Sequence, residues 1–305
     1  MPNKTSLTPD AIQSLLTHTE TLMNHMFWFK HELGLKPTKE HYGSAINFTD
    51  IKCREYDFLR ELINTIASWV YSKASIRAMV DERLKQTDSD AANAYNFLVT
   101  QAFSKFRVGH PQGQFGELLL FNFIQHFFKA VPLLRKMKIT TSTGHERFGA
   151  DAIHVKQDKN NTLFYLGEAK CYESKYQFRE AFTNSLSSIM ATFNAFDKEL
   201  NLYIYDDFIA PELADVAKRY KNGELRDVHF ELICLVVYHE TKEINGYNEE
   251  EIKDFIQNTI VKRCRSLGEE VFNIQSNVLN RINYIIFPVW QLNMLLDKFG
   301  KMIGV

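Results

Sequence analysis

The sequence predicts an α/β protein in which a mixed sheet is flanked by helices, with a mostly helical region ahead of it. Two observations predict this class: long segments with apolar residues at helical spacing, and short apolar runs bounded by turn-forming residues. The chain has 305 residues, 45% of them hydrophobic, which suffices for one large core or two modest ones. We expect a helical N-terminal region over 1–107 and a second domain over 108–305, with its core at about 113–240.

The N-terminal region is predicted to be helical because few helix-breaking residues interrupt its apolar pattern. Thr8 is placed as an N-cap before Pro9 and Asp10, which marks the start of a first helix over 10–34. Further helical segments are predicted at 49–73, 74–85 and 89–106. The cluster of Gly and Pro at 108–113 then marks the boundary.

The second region alternates helices with short strands. A helix predicted over 114–129 is followed by a basic connector. Two β-patterned runs, 150–156 and 162–170, flank a turn-rich segment and are predicted to form a hairpin. The remaining predicted elements are a helix at 175–198, a strand or short helix near 202–208, a helix at 211–220, a strand at 229–238, a helix at 249–263, a strand at 281–287 and a helix at 289–299.

Charge is balanced overall but not along the chain. There are 36 Lys and Arg against 37 Asp and Glu, which excludes a polybasic protein. Residues 101–147 nonetheless carry seven basic and two acidic side chains, a local charge of +5. Residues 205–255 carry thirteen acidic and six basic ones, a local charge of -7. The basic stretch is compatible with a groove for a polyanion, and an uneven surface without function is the alternative.

Cysteine usage and hydropathy favour a cytoplasmic protein without a membrane anchor. The chain has four scattered cysteines, Cys53, Cys171, Cys234 and Cys264. They include no C-x-x-C pair, and the N-terminus shows no secretory signal pattern. The longest apolar runs, 232–238 and 284–290, have seven residues each, against the roughly 18 or more of a membrane helix.

The predicted hairpin places three charged side chains on one face. If its turn is centred between Lys159 and Asn160, Asp151 on the first strand lies opposite Glu168 on the second. Alternation along the strand puts Lys170 on the same face. The rest of this face is apolar, which makes charge unexpected there. Its apolar members are Ile153, Val155, Phe164 and Leu166.

Two opposed carboxylates need a counter-charge. At about 5 Å and an effective dielectric near 20 they repel each other by about 3 kcal/mol. A divalent cation reverses the sign, and Mg²⁺ typically binds one or two carboxylates together with substrate phosphate oxygens. Lys170 beside it would orient or deprotonate a water, or stabilise the charge that develops on the phosphate. A third acid, Glu117, is predicted on the inward face of the preceding helix, in line with Phe121 and Ile124.

These residues resemble a known nuclease superfamily. An acid on a helix, then Gly149-Ala150-Asp151, then Gly167-Glu168-Ala169-Lys170, then a helix and a strand, is similar to the restriction-endonuclease-like PD-(D/E)xK fold. The stretches Gly-Ala-Asp-Ala-Ile-His and Tyr-Leu-Gly-Glu-Ala-Lys more narrowly resemble the HamA effector nucleases of the Hachiman anti-phage defence system, which act beside a superfamily-2 helicase. The wider resemblance covers about 113–240, and the narrower one mainly 147–172. One departure is Ala150, which stands where the superfamily name has Pro.

The resemblance implies a site, a cofactor and partners. Asp151 and Glu168 would ligate Mg²⁺, for which Mn²⁺ can substitute, through their carboxylates, and Ala169 through its carbonyl. Lys170 would be the catalytic lysine and Glu117 the helix acid. The implied function is that of a metal-dependent DNA endonuclease or nickase, the effector of an anti-phage complex with a partner helicase.

Contacts to DNA are expected around this site. Gly149 would let the phosphate backbone come close, because it has no side chain. The expected nucleic-acid-binding residues are Arg147, Lys105, Arg107 and Gln177.

Two further E-x-K tripeptides, at 173–175 and 251–253, serve as internal comparisons. The first falls in the loop after the hairpin and the second in an acidic run on a predicted helix. Only 168–170 ends a strand and has a paired Asp. A surface ion pair at a strand end remains the alternative interpretation of 168–170. The alternative function is a non-catalytic nuclease-fold subunit that binds nucleic acid or a partner, through 205–255 or the helical N-terminus.

Overall fold

The computed structural model describes residues 14–87, 90–107, 111–135, 149–157, 161–203 and 209–305. Within these residues the strands are β1 (Met26–Glu32), β2 (Glu40–Ile46), β3 (Phe48–Thr49), β4 (Lys52–Cys53), β5 (Val131–Leu134), β6 (Ala152–Gln157), β7 (Thr162–Tyr172), β8 (Val228–His239) and β9 (Ile282–Val289). The α-helices are α1 (Glu20–Met23), α2 (Glu55–Asn64), α3 (Ile66–Val70), α4 (Lys73–Thr87), α5 (Ala91–Phe103), α6 (Gln112–Phe128), α7 (Phe178–Tyr203), α8 (Ala214–Lys221), α9 (Glu249–Arg265), α10 (Ser276–Leu279) and α11 (Leu292–Ile303). Short 3-10 helices span Pro211–Leu213 and Glu269–Phe272.

Seven of these strands form one mixed sheet in the order β1-β2-β9-β8-β7-β6-β5. β2, β9, β8 and β7 pair in parallel, and the pairs at the two edges are antiparallel. Parallel strands covered on both faces need apolar residues on both, which explains the continuous apolar run at 232–238 in β8. The α/β class with a mixed sheet flanked by helices is confirmed.

Helices cover both faces of the sheet. The α7 face, which carries Ile153 and Leu166, packs against α7, α8 and α9. The α6 face, which carries Ala152 and Tyr165, packs against α6, α11 and the helices of the N-terminal region. The N-terminal helices therefore share a core with elements far beyond residue 108. Of the predicted boundary cluster at 108–113, residues 108–110 lie outside the described residues.

The prediction of one helix over 10–34 is wrong, because a strand lies within that range. In that range α1 has four residues and is followed by β1, which pairs with β2 and extends the sheet beside β9. Phe27 and Phe29 pack towards one core while Trp28 points to the other side, the alternation of a strand. The aromatic content of this run favours a strand, and its pairing depends on β9, more than 200 residues later, which helical spacing could not reveal.

Most other predicted elements lie close to their predicted bounds, three of them differ, and β2 and α10 had no predicted counterpart. The segment expected to be helical from 49 contains β3 and β4 before α2 begins at Glu55. The predicted basic connector contains β5, which pairs with β6. The element expected near 202–208 lies mostly outside the described residues, and its first positions belong to α7. In the described part of the chain, no helix combines the length and hydropathy of a membrane span.

Candidate active site

The β6–β7 hairpin has the predicted register. Ala152 lies opposite Gly167 and Ile153 opposite Leu166. The paired register ends at Ala152, and Asp151 directly precedes it. The N–H of Asp151 donates to the Gly167 carbonyl at 3.0 Å, one residue out of that register, which holds Asp151 against the segment that leads into Glu168. The turn residues 158–160 lie outside the described residues. The predicted register is confirmed for the paired residues Ala152–Gln157 and Thr162–Gly167, and the direct opposition of Asp151 and Glu168 stays a prediction.

Asp151 lies just before β6 begins, and its side chain reaches across to β7. Its Oδ2 accepts the N–H of Ala169 at 2.9 Å. A carboxylate bound to a backbone N–H is a charge-assisted hydrogen bond, stronger than one between neutral groups. Asp151 is thereby held at the residue that directly follows Glu168.

Glu168 is buried although it is ionisable, with 6% of its side chain exposed. The hydroxyl of Thr192 on α7 donates to its Oε1 at 2.6 Å. The Nζ of Lys170 lies 3.6 Å from its Oε2, and the Lys170 side chain is 26% exposed. A buried charge is tolerated where it is paired and hydrogen-bonded. Asp151, Glu168 and Lys170 are therefore gathered at one end of the hairpin, as the alternation predicted.

Helix α6 packs closely on the other face of β7. A Cβ on Gly116 would lie 3.3 Å from the Cβ of Ala169, and one on Gly167 would lie 2.9 Å from Leu120. Glycine at both positions lets the helix and the strand approach each other. The side-chain amide of Gln112 also donates to the carbonyl of Cys171. The N-terminus of α6 is thus fixed over the end of β7 that carries the site.

Glu117 lies on this helix near the site end. It is half-buried between buried neighbours, and Phe121, one turn later, contacts His154 of β6 with ring centroids 5.7 Å apart. Among the described residues, no three His, Cys, Asp or Glu side chains are arranged to hold a metal ion. Glu117 therefore does not form such a group with Asp151 and Glu168. Its role as a ligand stays a prediction.

The donor chemistry of the site fits a divalent cation. Asp151 and Glu168 offer carboxylate oxygens from neighbouring strands, the type of ligand that Mg²⁺ prefers. Mg²⁺ commonly takes one or two protein carboxylates and completes its octahedral shell with water and phosphate oxygens, so two carboxylates suffice. Because Glu168 already contacts Thr192 and Lys170, an ion would share its oxygens with them.

The expected DNA contacts partly cluster at this end of the fold. Gln114 in the first turn of α6 accepts the N–H of Arg107 at 2.7 Å and donates to the carbonyl of Lys105 at 3.4 Å. Gln177 directly precedes α7, and its amide donates to Glu180 at 3.3 Å. Arg147 lies outside the described residues. These bonds place the backbone of Lys105 and Arg107 at the start of α6, and their contacts to DNA stay a prediction.

The basic stretch 101–147 does not form one groove in the part that is described. Arg135 is buried, its Nε donates to the Ser68 carbonyl at 3.2 Å, and burial lowers its pKa to about 10. Lys129 follows the last residue of α6, at the far end from the site. Of the four described bases in this stretch, Lys105 and Arg107 alone lie at the site end.

Two buried residues of α7 near the site were not predicted. Thr192 donates to Glu168, and the Oε2 of Glu199 accepts the N–H of Ala150 at 3.0 Å. They are seven residues apart and so lie on the same side of the helix. Ser185, seven residues earlier, is buried as well. This heptad series of polar residues inside an apolar stripe was a visible signal in the sequence.

The glutamate of the E-x-K tripeptide at 251–253 makes different contacts from Glu168. Glu251 is exposed, its carboxylate accepts the N–H of Tyr247 at 2.9 Å, and its own N–H donates to Asn248 at 3.0 Å. These are the contacts of a helix N-terminus. The prediction that Glu251 is solvated on a helix is confirmed.

Comparison with known families gives one match. A family model described as HamA matches residues 24–303, which includes every element from β1 to α11. No curated protein matches the chain.

Proposed function

The chain belongs to the HamA family, which is associated with Hachiman anti-phage defence, and we propose that it is a Mg²⁺-dependent deoxyribonuclease. In this proposal it is an endonuclease or nickase of the PD-(D/E)xK type and the effector of a complex with a partner helicase. The observation that carries it is the buried Glu168, hydrogen-bonded on one oxygen and paired with Lys170 on the other, beside Asp151 at the same hairpin end.

Each residue has a defined task in phosphodiester hydrolysis. Asp151 and Glu168 would hold Mg²⁺, which supplies a bound water of lowered pKa and neutralises charge on the phosphate. Lys170 is partly exposed and within 4 Å of Glu168, so its ammonium reaches both the carboxylate and the solvent side. It would orient the attacking water or stabilise the negative charge that develops on the phosphate oxygens. Thr192 keeps Glu168 in place.

The charge distribution favours DNA that is delivered by a partner. The net charge is -1, and Lys105 and Arg107 supply few phosphate contacts of their own. Non-specific affinity for DNA grows with the number of phosphates that Lys and Arg neutralise. A helicase that binds DNA would raise the local concentration of substrate at such a site.

Plasmid cleavage tests the proposal. The full-length chain, alone and with the partner helicase, is incubated with supercoiled plasmid in Mg²⁺ or in EDTA. We expect nicked or linear product in Mg²⁺ and none in EDTA. The cleavage rate should be at least about 100-fold lower in Asp151→Ala and in Lys170→Ala. Lys253→Ala changes the lysine of the E-x-K tripeptide on α9 and should retain the wild-type rate. Cleavage that persists in both site variants would exclude this site.

Metal binding separates the enzyme from a non-catalytic nuclease-fold subunit. Titration calorimetry with Mg²⁺ and Mn²⁺ should detect binding to the wild type and much weaker binding to Asp151→Asn, which loses a charged ligand. A chain that binds DNA but neither metal would favour the non-catalytic alternative.

A further inference from the structure

Glu199 links helix α7 to the backbone that leads into Asp151. Its side chain is buried, and its Oε2 accepts the N–H of Ala150 at 3.0 Å. Ala150 is fully buried and directly precedes Asp151, whose Oδ2 accepts the N–H of Ala169 at 2.9 Å. Asp151 is therefore tethered to α7 through its preceding residue and to β7 through its own carboxylate.

Gly149 gives an independent sign of the same contact. Its φ is +116°, a conformation that side-chain-bearing L residues rarely adopt, and a Cβ there would lie 2.2 Å from the Oε2 of Glu199. The carboxylate occupies the space that a side chain at 149 would fill. The close approach of a DNA backbone to Gly149 stays a prediction, and on the side where a Cβ would lie the space is filled by Glu199.

A single helix contacts both carboxylate-bearing segments. Thr192 donates to Glu168 of β7, and Glu199 accepts from Ala150 ahead of β6. Seven residues of α-helix span about 10 Å along the axis. Because the helix is rigid over that length, these two contacts fix the two segments relative to each other.

We propose that Glu199 is a positioning residue of this site: its buried carboxylate fixes Ala150 and thereby sets Asp151 beside Glu168. The proposal rests on the nuclease function proposed for Asp151. In this role Glu199 acts as a hydrogen-bond acceptor and contacts neither substrate nor ion.

Two substitutions separate the effect of the length of the Glu199 side chain from the effect of its charge. Glu199→Gln keeps an acceptor oxygen at the same reach and removes the charge. Glu199→Asp keeps the charge and withdraws the carboxylate by one methylene, about 1.5 Å. Asp197→Ala is the matched control, because Asp197 is an exposed acid of the same helix whose bond is to Tyr220, away from the site.

Amide hydrogen exchange of the full-length chain in EDTA reports the contact without metal or DNA. We expect Glu199→Asp to speed exchange at both Ala150 and Ala169 at least about tenfold, because Asp151 moves when Ala150 is released. Glu199→Gln and Asp197→Ala should stay within about threefold of the wild type. A role limited to local packing would change Ala150 alone. Unchanged exchange at Ala169 in Glu199→Asp would therefore overturn the proposal, whether or not the chain cleaves DNA.

Steady-state cleavage of supercoiled plasmid in Mg²⁺ gives a second measurement. Glu199→Asp should lower kcat about 10- to 100-fold and leave KM within about twofold, since displacing a reacting group by about 1 Å costs up to about 100-fold. Glu199→Gln should retain kcat within about threefold. A loss in Glu199→Gln as large as in Glu199→Asp would assign the effect to charge and overturn the positioning role. If the wild type with its partner cleaves no DNA, the nuclease proposal fails and the exchange result decides the positioning role by itself.

Discussion

The two faces of the β6–β7 hairpin treat ionisable side chains in opposite ways. On the α7 face, Glu168 and Lys170 form an ion pair inside the fold. On the α6 face, burial lowers the pKa of His154 to about 3 and raises that of Cys171, so both are neutral near pH 7. The hairpin thus holds a charged pair, Glu168 and Lys170, on the α7 face, whereas His154 and Cys171 on the α6 face are neutral. The charged face is the one that carries the proposed chemistry.

The largest effect is expected from removing the cation of the α7 face. Lys170→Met leaves the Glu168 carboxylate buried without its counter-charge, which should lower the free energy of unfolding by about 3 kcal/mol. Adding Glu168→Gln removes the uncompensated charge and should restore most of that loss. Urea denaturation at pH 8 in EDTA measures both.

Lys253→Met is the control for this effect. Lys253 pairs with Glu249 on the surface of α9, so its loss should cost less than about 0.5 kcal/mol. An equal cost for Lys170→Met and Lys253→Met would show that the α7 face does not depend on its ion pair.

Acid should destabilise the protein through the α6 face. Neither ring nitrogen of His154 has a hydrogen-bond partner among the described residues, and the charge of Arg135 adds to the effect of burial on the pKa. The folded pKa of about 3 lies below the unfolded value near 6.5, so this stability is present above pH 6.5 and is lost as pH falls towards 3. Between pH 6.5 and 5 this group alone should cost about 2 kcal/mol.

His154→Leu should remove this part of the acid sensitivity in urea melts at pH 7 and pH 5. Some loss will remain, because burial also lowers the pKa of His41, to about 4. His229→Leu, at an exposed position of β8, should keep the whole wild-type loss. The same loss in His154→Leu as in the wild type would contradict the assignment.

The smallest of these effects concerns the hydroxyl that supports Glu168. Thr192→Val has nearly the same shape but no donor, and should lower the free energy of unfolding by about 1.5 kcal/mol in EDTA. Thr192→Ser keeps the donor and should recover much of it. Thr183→Val removes an exposed hydroxyl of the same helix that bonds to the Arg179 carbonyl, and should cost under about 0.5 kcal/mol. If Thr192→Val costs no more than that, the hydroxyl does not stabilise the buried carboxylate.

Much of the candidate site was predictable because it is local in sequence. Asp151 and Glu168 belong to one hairpin, whose register follows from its turn position and its alternation. The tripeptide at 251–253 has the same residue types at its ends as 168–170, but its helical context predicted a solvated Glu251, which its exposure and contacts confirm. Local pattern therefore distinguished the two tripeptides without tertiary information.

The supporting residues were less predictable because they depend on how distant segments pack. Ser185, Thr192 and Glu199 form a visible heptad series, but the spacing does not say which of them meets the hairpin. The helix predicted over 10–34 failed for the same reason, since β1 is stabilised by pairing with β2 on an edge that depends on β9. The buried position of Arg135 likewise depends on the carbonyl of Ser68, 67 residues away.

The sequence by itself determined the fold class, the hairpin register and the gathering of Asp151, Glu168 and Lys170 at one end of the hairpin, because alternation and turn chemistry act over a few residues. Only the tertiary structure decided what makes those charges tolerable. A buried carboxylate needs partners within hydrogen-bond distance, and for Glu168 one of them comes from α7, 24 residues along the chain. Which distant side chain meets it is decided by helix packing on the sheet, which no local pattern encodes.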